Sequence, residues 1–161
     1  EKSIPKEMIF NEIYRYDIKD ISFLGNNLFL LSEKAKTIFE LHNNMTGNFY
    51  KIPAYTDCSR EVLGDFYLLN ITKAVNATTN KLGGIRPIDQ EGDYYGACYS
   101  RYNAVEEKKI AVLECEVSEL YFWLDSKLSE GIAFFISDSL RDALVANDIT
   151  GWESQNYWQA I

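Results

Sequence analysis

Residues 28–42 read LFLLSEKAKTIFELH, and this stretch places a buried segment directly before a capped helix. The four apolar residues Leu28–Leu31 are typical of a short strand. Ser32 is a good N-cap residue, because its side chain can accept a hydrogen bond from the first helical turn. Apolar residues then recur near the helical period of 3.6, at Ala35, Ile38, Phe39 and Leu41. The stretch predicts a strand followed by a helix from Glu33 to about His42. Asn43-Asn44 is expected to end this helix.

Further strand-like segments lie on both sides of this pair. They are residues 8–16, 49–52, 66–71, 109–117, 121–124 and 132–136. Ser137 and Asp138 begin a second predicted helix, which carries Leu140 and Leu144 and stops by Asn147 or Asp148. The polar segment 76–90 contains Gly83-Gly84 and Pro87, and it predicts a loop.

Residues 109–117 alternate most regularly between apolar and polar side chains. One predicted face carries Ala111, Leu113, Cys115 and Val117, and the other carries Val112, Glu114 and Glu116. This pattern favours an antiparallel strand with one wet side. Strands and helices alternate without a regular βαβ rhythm, so we expect an α+β fold with a mainly antiparallel sheet and a few packed helices. The chain has 161 residues and no linker-like segment, so we expect a single domain over residues 1–161.

The net charge of −8 is distributed unevenly. Through Arg86 there are eleven Lys and Arg against ten Asp and Glu, a net charge of +1, whereas from Pro87 onward there are five against fourteen, a net charge of −9. This excess disfavours a nucleic acid partner, because a phosphate backbone rewards basic side chains. It indicates either an interaction surface or a merely solvated acidic face.

Compartment and membrane contact can also be judged from composition. No apolar run is long enough to cross a bilayer, so we expect no membrane contact. Cys58, Cys98 and Cys115 have spacings that suit neither a disulfide framework nor a metal site. They predict reduced, mostly buried thiols and a cytoplasmic protein.

Few residues indicate catalysis. His42 is the one histidine, and its place at a helix end favours bonding to the last carbonyl groups over catalysis. The motifs HExxH, CxxC, GxSxG and GxGxxG are absent, and the acidic string that starts at Asp89 lacks the glycine and glutamate of an EF-hand loop. We therefore predict no enzyme activity, no catalytic residues, no cofactor and no metal. Two alternatives stay open. One is a hydrolase or transferase that uses Cys58, alone or paired with His42, or the acidic cluster that starts at Asp89. The other is a small-molecule or carbohydrate-binding module that uses Trp123, Trp152 and Trp158.

One dense cluster lies in residues 89–102, DQEGDYYGACYSRY. Its acidic and aromatic members are Asp89, Glu91, Asp93, Tyr94, Tyr95, Tyr99 and Tyr102. Tyrosine is a preferred anchor at protein interfaces, and neighbouring carboxylates complement Lys and Arg on a partner. We predict that this cluster, with Glu114 and Glu116, binds a basic protein; the alternative is that the tyrosines pack into the sheet while the acids line a solvated turn.

Several of these segments resemble, in order and spacing, a bacterial family assigned to the immunity proteins of polymorphic-toxin systems. Leu28–Ala35 resembles the family's apolar strand followed by a Ser-Glu-Lys/Arg-Ala helix start. Phe135–Leu144, followed by Ile149–Trp152, resembles its closing strand, capped helix and Thr-Gly-aromatic exit. Between them, Phe49–Pro53 and Phe66–Ile71 match a Pro-ended strand and a Tyr-Leu-Leu-Asn strand.

The resemblance covers about residues 28–152 and has two departures. Many members carry an acidic residue and Ser where this chain has residues 74–78, and an aromatic-Arg pair where it has residues 121–124. The resemblance implies a cytoplasmic protein without catalytic residues. It also implies that the chain binds and blocks a cognate toxin domain, which we expect to be a basic, nuclease-like effector.

Overall fold

The computed structural model describes residues 5–11, 18–25, 28–44, 46–83, 85–87, 95–97, 109–128, 134–153 and 158–161. Within these segments, six of the nine strand pairings are antiparallel and three are parallel. Helices pack beside these sheets. The predicted α+β class with a mainly antiparallel sheet is confirmed.

The largest sheet has five strands. They are β1 (Met8–Phe10), β2 (Ile21–Gly25), β3 (Leu28–Leu31), β4 (Gly47–Thr56) and β5 (Val62–Ile71). Their order is β1-β4-β5-β3-β2, and β1 alone among them runs parallel to its neighbour. The predicted strands at 28–31, 49–52 and 66–71 are confirmed, and the last two extend to ten residues each. Of the predicted strand 8–16, residues 8–10 are confirmed and residues 12–17 lie outside the described segments.

Three smaller sheets use the later part of the chain. Their strands are β6 (Ala74–Val75), β7 (Thr78–Thr79), β8 (Ile85–Pro87), β9 (Tyr95–Ala97), β10 (Ile110–Val112), β11 (Phe122–Asp125), β12 (Phe134–Ile136) and β13 (Trp158–Ala160). The pairings are β12-β11-β6, β13-β10-β7 and β8-β9. The predicted strand pair near 121–136 is confirmed as β11 and β12. The predicted loop 76–90 is wrong in part, because it contains β7, β8 and a 3₁₀ turn at Asn80–Leu82.

Two nine-residue helices begin at serine caps, as the sequence predicts. In α1 (Glu33–Leu41), the Ser32 hydroxyl accepts a hydrogen bond from the amide of Ala35 at 3.2 Å. In the second of these helices, Asp138–Ala146 near the C-terminus, the Ser137 hydroxyl accepts a hydrogen bond from the amide of Leu140 at 3.2 Å. Each cap satisfies an amide that has no partner within its helix.

The predicted strand 109–117 is wrong beyond residue 112. Strand β10 ends there, and Glu114–Val117 forms a one-turn helix, α2. The helix Asp138–Ala146 is the third along the chain and is called α3. All three residues of β10 are buried, so β10 has no wet side. In α2, Val117 is buried while Glu114 and Glu116 are exposed.

The main core fills the space between α1, α3 and one face of the five-stranded sheet. Its largest buried side chains are Phe29, Phe39 and Phe122, and the rings of Phe39 and Phe122 meet edge to face at 5.3 Å. A second core cluster lies around Trp123, which is 1% exposed and stacks on Phe135 at 5.4 Å. These contacts bury the apolar positions that the sequence pattern selects.

A hydrogen-bonded clasp around Asp20 joins distant parts of the chain. Its carboxylate accepts bonds from the Ser32 hydroxyl at 2.7 Å, and from the amide and hydroxyl of Thr150 at 3.0 and 2.9 Å. The backbone adds a bond from the amide of Ile21 to the carbonyl of Thr150. The clasp therefore fixes the start of α1 to the segment after α3.

The buried carboxylate of Asp125 joins the two three-stranded sheets. It accepts hydrogen bonds from the amides of Ala77, Thr78 and Lys127 and from the Thr78 hydroxyl, at 2.8 to 3.1 Å. Asp125 ends β11 in one sheet, while Thr78 begins β7 in the other. These four donors satisfy a charge whose burial would otherwise be costly.

The prediction of mostly buried thiols is wrong for the two cysteines that the structure describes. Cys58 lies in the turn after β4 and Cys115 lies on α2, and both are exposed. Cys98 lies outside the described segments. In the predicted strand, Cys115 and Val117 would lie on the same face. In a helix, two residues that are two positions apart point about 200° apart around the axis, so Cys115 points away from the core when Val117 points into it.

Candidate partner-binding surface

The predicted tyrosine and acid cluster falls almost wholly outside the described residues. Asp89, Glu91, Asp93, Tyr94, Tyr99 and Tyr102 lie outside them. Tyr95 begins β9, where its backbone pairs with that of Pro87 in β8. The role of this cluster in partner binding therefore stays a prediction.

Glu114 and Glu116 lie on α2, and the backbone around them is firmly held. The amide of Leu113 donates to the carbonyl of Ala77 at 2.9 Å, and the amide of Glu114 donates to the carbonyl of Ile161 at 3.1 Å. Val117 anchors the other end of the turn in the second core cluster. With one side held in the core, α2 presents both glutamates to solvent.

Five other exposed carboxylates that the structure describes are held in ion pairs. Ion pairs join Lys36–Glu40, Lys51–Asp65, Arg60–Glu7, Arg141–Asp138 and Arg141–Asp142, at 2.6 to 2.9 Å. Glu114, Glu116 and the nearby Glu119 form no ion pair with any described residue. Their charges are therefore available to a partner, and we call these three residues the α2 glutamates.

The α2 glutamates adjoin the end of α1. The Asn44 side-chain amide donates to the carbonyl of Glu119 at 2.7 Å, and the ring of His42 meets that of Tyr121 edge on at 5.0 Å. Leu41, the last residue of α1, is 79% exposed. The sequence analysis did not select Glu119, although it is the next acidic residue along the chain after Glu114 and Glu116.

A Cys58–His42 pair is wrong. His42 follows α1 and adjoins the start of β4, where the Asn43 side chain bonds the amide of Gly47. Cys58 lies beyond the other end of β4, and a ten-residue strand separates the two by about 30 Å. His42 instead bonds the carbonyl of Ile38 through Nδ1 at 2.8 Å, which confirms the structural role predicted for it.

The three tryptophans do not form a common stacking platform. Trp123 is buried, as core packing predicts, and Trp158 meets it edge on at 5.7 Å, which attaches β13 to the second core cluster. Trp152 is half-buried against the main core and donates its indole N–H to the carbonyl of Ile149 at 2.8 Å. The alternative of a carbohydrate or small-molecule module built on these rings therefore has no support in their arrangement.

The described segments contain neither a helix suited to crossing a membrane nor a cluster of metal-binding side chains. None of their helices has both the length and the apolar composition needed to cross a membrane. In the same part of the chain, no three His, Cys, Asp or Glu side chains are placed to hold a metal ion.

Comparison with known protein families gives a match over most of the sequence. The model of an immunity protein family, Imm11, matches residues 6–157, which is nearly the whole sequence. No curated protein matches the chain. The match spans all four segments in which the sequence resembles immunity proteins.

Proposed function

Because the chain belongs to the Imm11 family of immunity proteins, we propose that it neutralises a cognate bacterial toxin domain by stoichiometric binding in the cytoplasm. The family match over residues 6–157 is the observation that carries this proposal. The toxin would belong to a polymorphic-toxin system, and the chain would act by covering the toxin's active surface. No turnover is needed, since occlusion lasts as long as the complex does.

The charge distribution supports a basic partner. The sequence from Pro87 onward carries a net charge of −9. This charge includes the α2 glutamates, which are exposed and form no ion pair with a described cation. Complementary charge speeds the encounter of two proteins and fixes their orientation. A toxin with a cationic groove, such as a nuclease-like domain, fits this surface.

The rigidity of α2 supports the same role. Its backbone is tied to Ala77 and Ile161, and Val117 is buried, so the glutamates are presented on a fixed scaffold. A preorganised surface loses little conformational entropy when a partner binds. We propose that the α2 glutamates and the cluster in residues 89–102 together contact the toxin.

Calorimetric titration with the toxin domain encoded beside this chain tests the proposal. We expect one-to-one binding by the wild type. The double variant Glu114→Lys plus Glu116→Lys should weaken affinity about tenfold or more, because it replaces attraction by repulsion at two sites. The loss should shrink at high salt, which screens exposed charges.

A matched control is Asp142→Lys plus Glu153→Lys, which changes the net charge equally at two exposed residues away from α2. Its affinity should stay within about threefold of the wild type. If both double variants lose affinity equally, only the total charge matters and α2 is not a contact. Absence of any one-to-one complex with the wild type would contradict the proposed function itself.

The cluster in residues 89–102 needs its own variant. Asp93→Lys plus Tyr95→Ala should lower toxin affinity by more than about 2 kcal/mol if the cluster is a hot spot. Unchanged affinity would remove this cluster from the proposed interface and leave the α2 glutamates as the contact to be mapped further.

A further inference from the structure

The short helix α2 depends on contacts from outside itself. It has a single turn, and a helix this short forms too few internal hydrogen bonds to offset the cost of ordering its backbone. The side chain of its N-cap residue, Leu113, bonds none of the first amides. The amides at the start of α2 therefore need acceptors from other parts of the chain.

Ile161 supplies one of these acceptors. The amide of Glu114, the first residue of α2, donates to the carbonyl of Ile161 at 3.1 Å. The amide of Ile161 donates in turn to the carbonyl of Val112, the last residue of β10, at 2.9 Å. Ile161 thus bonds to both sides of the junction at Leu113, where β10 passes into α2.

Strand β13 brings Ile161 to this junction. Its three residues pair in parallel with those of β10. Trp158 anchors the strand in the second core cluster, where its ring meets that of Trp123 edge on at 5.7 Å. The same cluster buries Val117 at the other end of α2. Both ends of α2 are therefore fixed to one cluster, Val117 directly and Glu114 through β13 and Ile161.

A fixed α2 matters for binding because its carboxylates are useful to a partner only in a defined arrangement. When the turn opens, the partner has to order the segment again before it can bind, and this ordering costs free energy. The apparent affinity then falls by the fraction of molecules in which the turn is formed. A residue that holds α2 closed can therefore control affinity without touching the partner.

We propose that Ile161 is a positioning residue for the toxin contact. Through its bonds to Glu114 and Val112, it holds α2 in the conformation that presents Glu114 and Glu116. Trp158 in turn holds Ile161 in place. This role rests on the proposed function, since it concerns the same binding event, and it extends the determinants of affinity to an uncharged segment beside the acidic surface.

Ile161→Pro tests the proposal, because proline has no amide proton to donate to Val112. In NMR amide exchange, the amides of Glu114 and Ser118 should lose almost all their protection, since the Ser118 amide closes the turn on the carbonyl of Glu114. The amides of β4 and β5 should keep their wild-type rates. Calorimetric titration with the toxin domain should show affinity lowered about tenfold, as for a turn formed in about a tenth of the molecules.

Ala160→Pro is the matched control. Successive amides along a strand point to opposite sides, and because the Ile161 amide bonds β10, the Ala160 amide points away from it. Proline is tolerated at such a position on an edge strand. Protection of α2 and toxin affinity should both stay within about threefold of the wild type.

Trp158→Ala is the second variant, because it removes the anchor of β13 and should act in the same direction as Ile161→Pro. Its control is Trp152→Ala, since Trp152 is also half-buried but packs against the main core. If Ile161→Pro unfolds the whole chain, the comparison of these two tryptophan variants decides. A larger loss of α2 protection and of affinity in Trp158→Ala is the expected result.

Wild-type protection of α2 in Ile161→Pro, or lost protection with unchanged toxin affinity, would overturn the positioning role. Equal losses in Ile161→Pro and Ala160→Pro, or in the two tryptophan variants, would do the same. In each of these cases the wild type still forms its one-to-one complex, so the proposed function stands. Absence of that complex with the wild type would instead contradict the proposed function, and the positioning role would fail with it.

Discussion

Of Gly25, Gly47, Gly64 and Gly151 in the described segments, Gly151 has the least room for an added Cβ atom. Its φ is +88°, and a Cβ atom there would lie 2.1 Å from the carbonyl oxygen of Ile21 and 2.5 Å from Cβ of Lys19. Thr150, the residue before it, bonds Asp20. The Thr-Gly pair in the closing segment therefore has a structural role: glycine lets the chain pass close enough for Thr150 to reach the clasp.

Gly151→Ala should destabilise the protein by about 3 kcal/mol or more, because it combines an unfavourable backbone angle with a backbone clash. Gly25→Ala is the control, since Gly25 has the same φ of +88° but nothing within 4 Å of an added Cβ. That change should cost only about 1 kcal/mol. Urea unfolding of both variants measures the difference, and equal losses would show that the contact with Ile21 has no energetic weight.

At the scale of single residues, the sequence predicted roles best where the cause was local. The serine caps and the buried Trp123 follow from their neighbours along the chain, and so does the structural role of His42. The partners of Asp20 and Asp125 could not be predicted, because Thr150 and Thr78 come close to these carboxylates only once the sheets and helices have packed. Long-range hydrogen bonds leave no periodic signal in a sequence.

Helices α1 and α3 offer a matched pair of caps. Each has nine residues, and each serine hydroxyl accepts its capping bond at 3.2 Å. Ser32 differs from Ser137 in one respect, since its hydroxyl also donates to Asp20 at 2.7 Å. The two helices can therefore separate the effect of a cap from that of the clasp.

Ser137→Ala should cost about 1 kcal/mol, the usual loss for a cap. Ser32→Ala should cost about 2 kcal/mol, because a hydrogen bond to a carboxylate is lost as well. Chemical denaturation of the two variants compares them. Equal losses would mean that the bond between Ser32 and Asp20 adds nothing beyond the cap.

At the scale of elements, the misassigned strand 109–117 shows why one pattern can fit two structures. Leu113 and Val117 are four residues apart, so they lie on the same face whether the segment is a strand or a helix. Glu114 and Glu116 can be exposed in either structure. Over five residues the two periods cannot be told apart. The two-residue strands β6 and β7 are shorter still, and only their partners β11 and β10 define them.

The Asp20 clasp acts at the scale of the whole molecule, because it holds residues 20, 32 and 150 together. Burial by itself raises the pKa of Asp20, but hydrogen bonds from Ser32 and Thr150, together with the charge of Lys34, outweigh this and hold the pKa below its ordinary value of 3.8. As pH falls, the unfolded chain takes up this proton first. The stability contributed by Asp20 is therefore complete above the ordinary pKa and is lost as pH falls through the folded value.

Asp20→Asn should lower the free energy of unfolding by about 1 kcal/mol near neutral pH, and the gap to the wild type should close as pH falls below about 4. Urea unfolding at a series of pH values measures this gap. Asp142→Asn is the control, since this exposed carboxylate pairs with its neighbour Arg141, and it should cost less than about 0.5 kcal/mol. A gap for Asp20→Asn that is constant down to the lowest pH would contradict the role given to the clasp.

The strand order of the whole molecule could not be predicted from the sequence. The sequence identifies most of the long elements, but nothing local tells that β1 pairs with β4 in parallel, or that β13 joins β10 across some fifty residues. For the candidate surface, the charge asymmetry and Glu114 and Glu116 were found from the sequence. That these glutamates form no ion pair with a described lysine or arginine could not be predicted, since it depends on where those cations lie after folding.

Cys115 lies between Glu114 and Glu116 on α2, with its thiol in solvent. A maleimide dye can be attached selectively to Cys115 after Cys58 is replaced by serine. Cys98 is replaced as well if it also reacts with the dye. The label would occupy the centre of the α2 glutamates, so that capture of a toxin would alter its emission. The natural Cys115 thiol is therefore a labelling site from which the formation of the complex with a toxin can be followed over time.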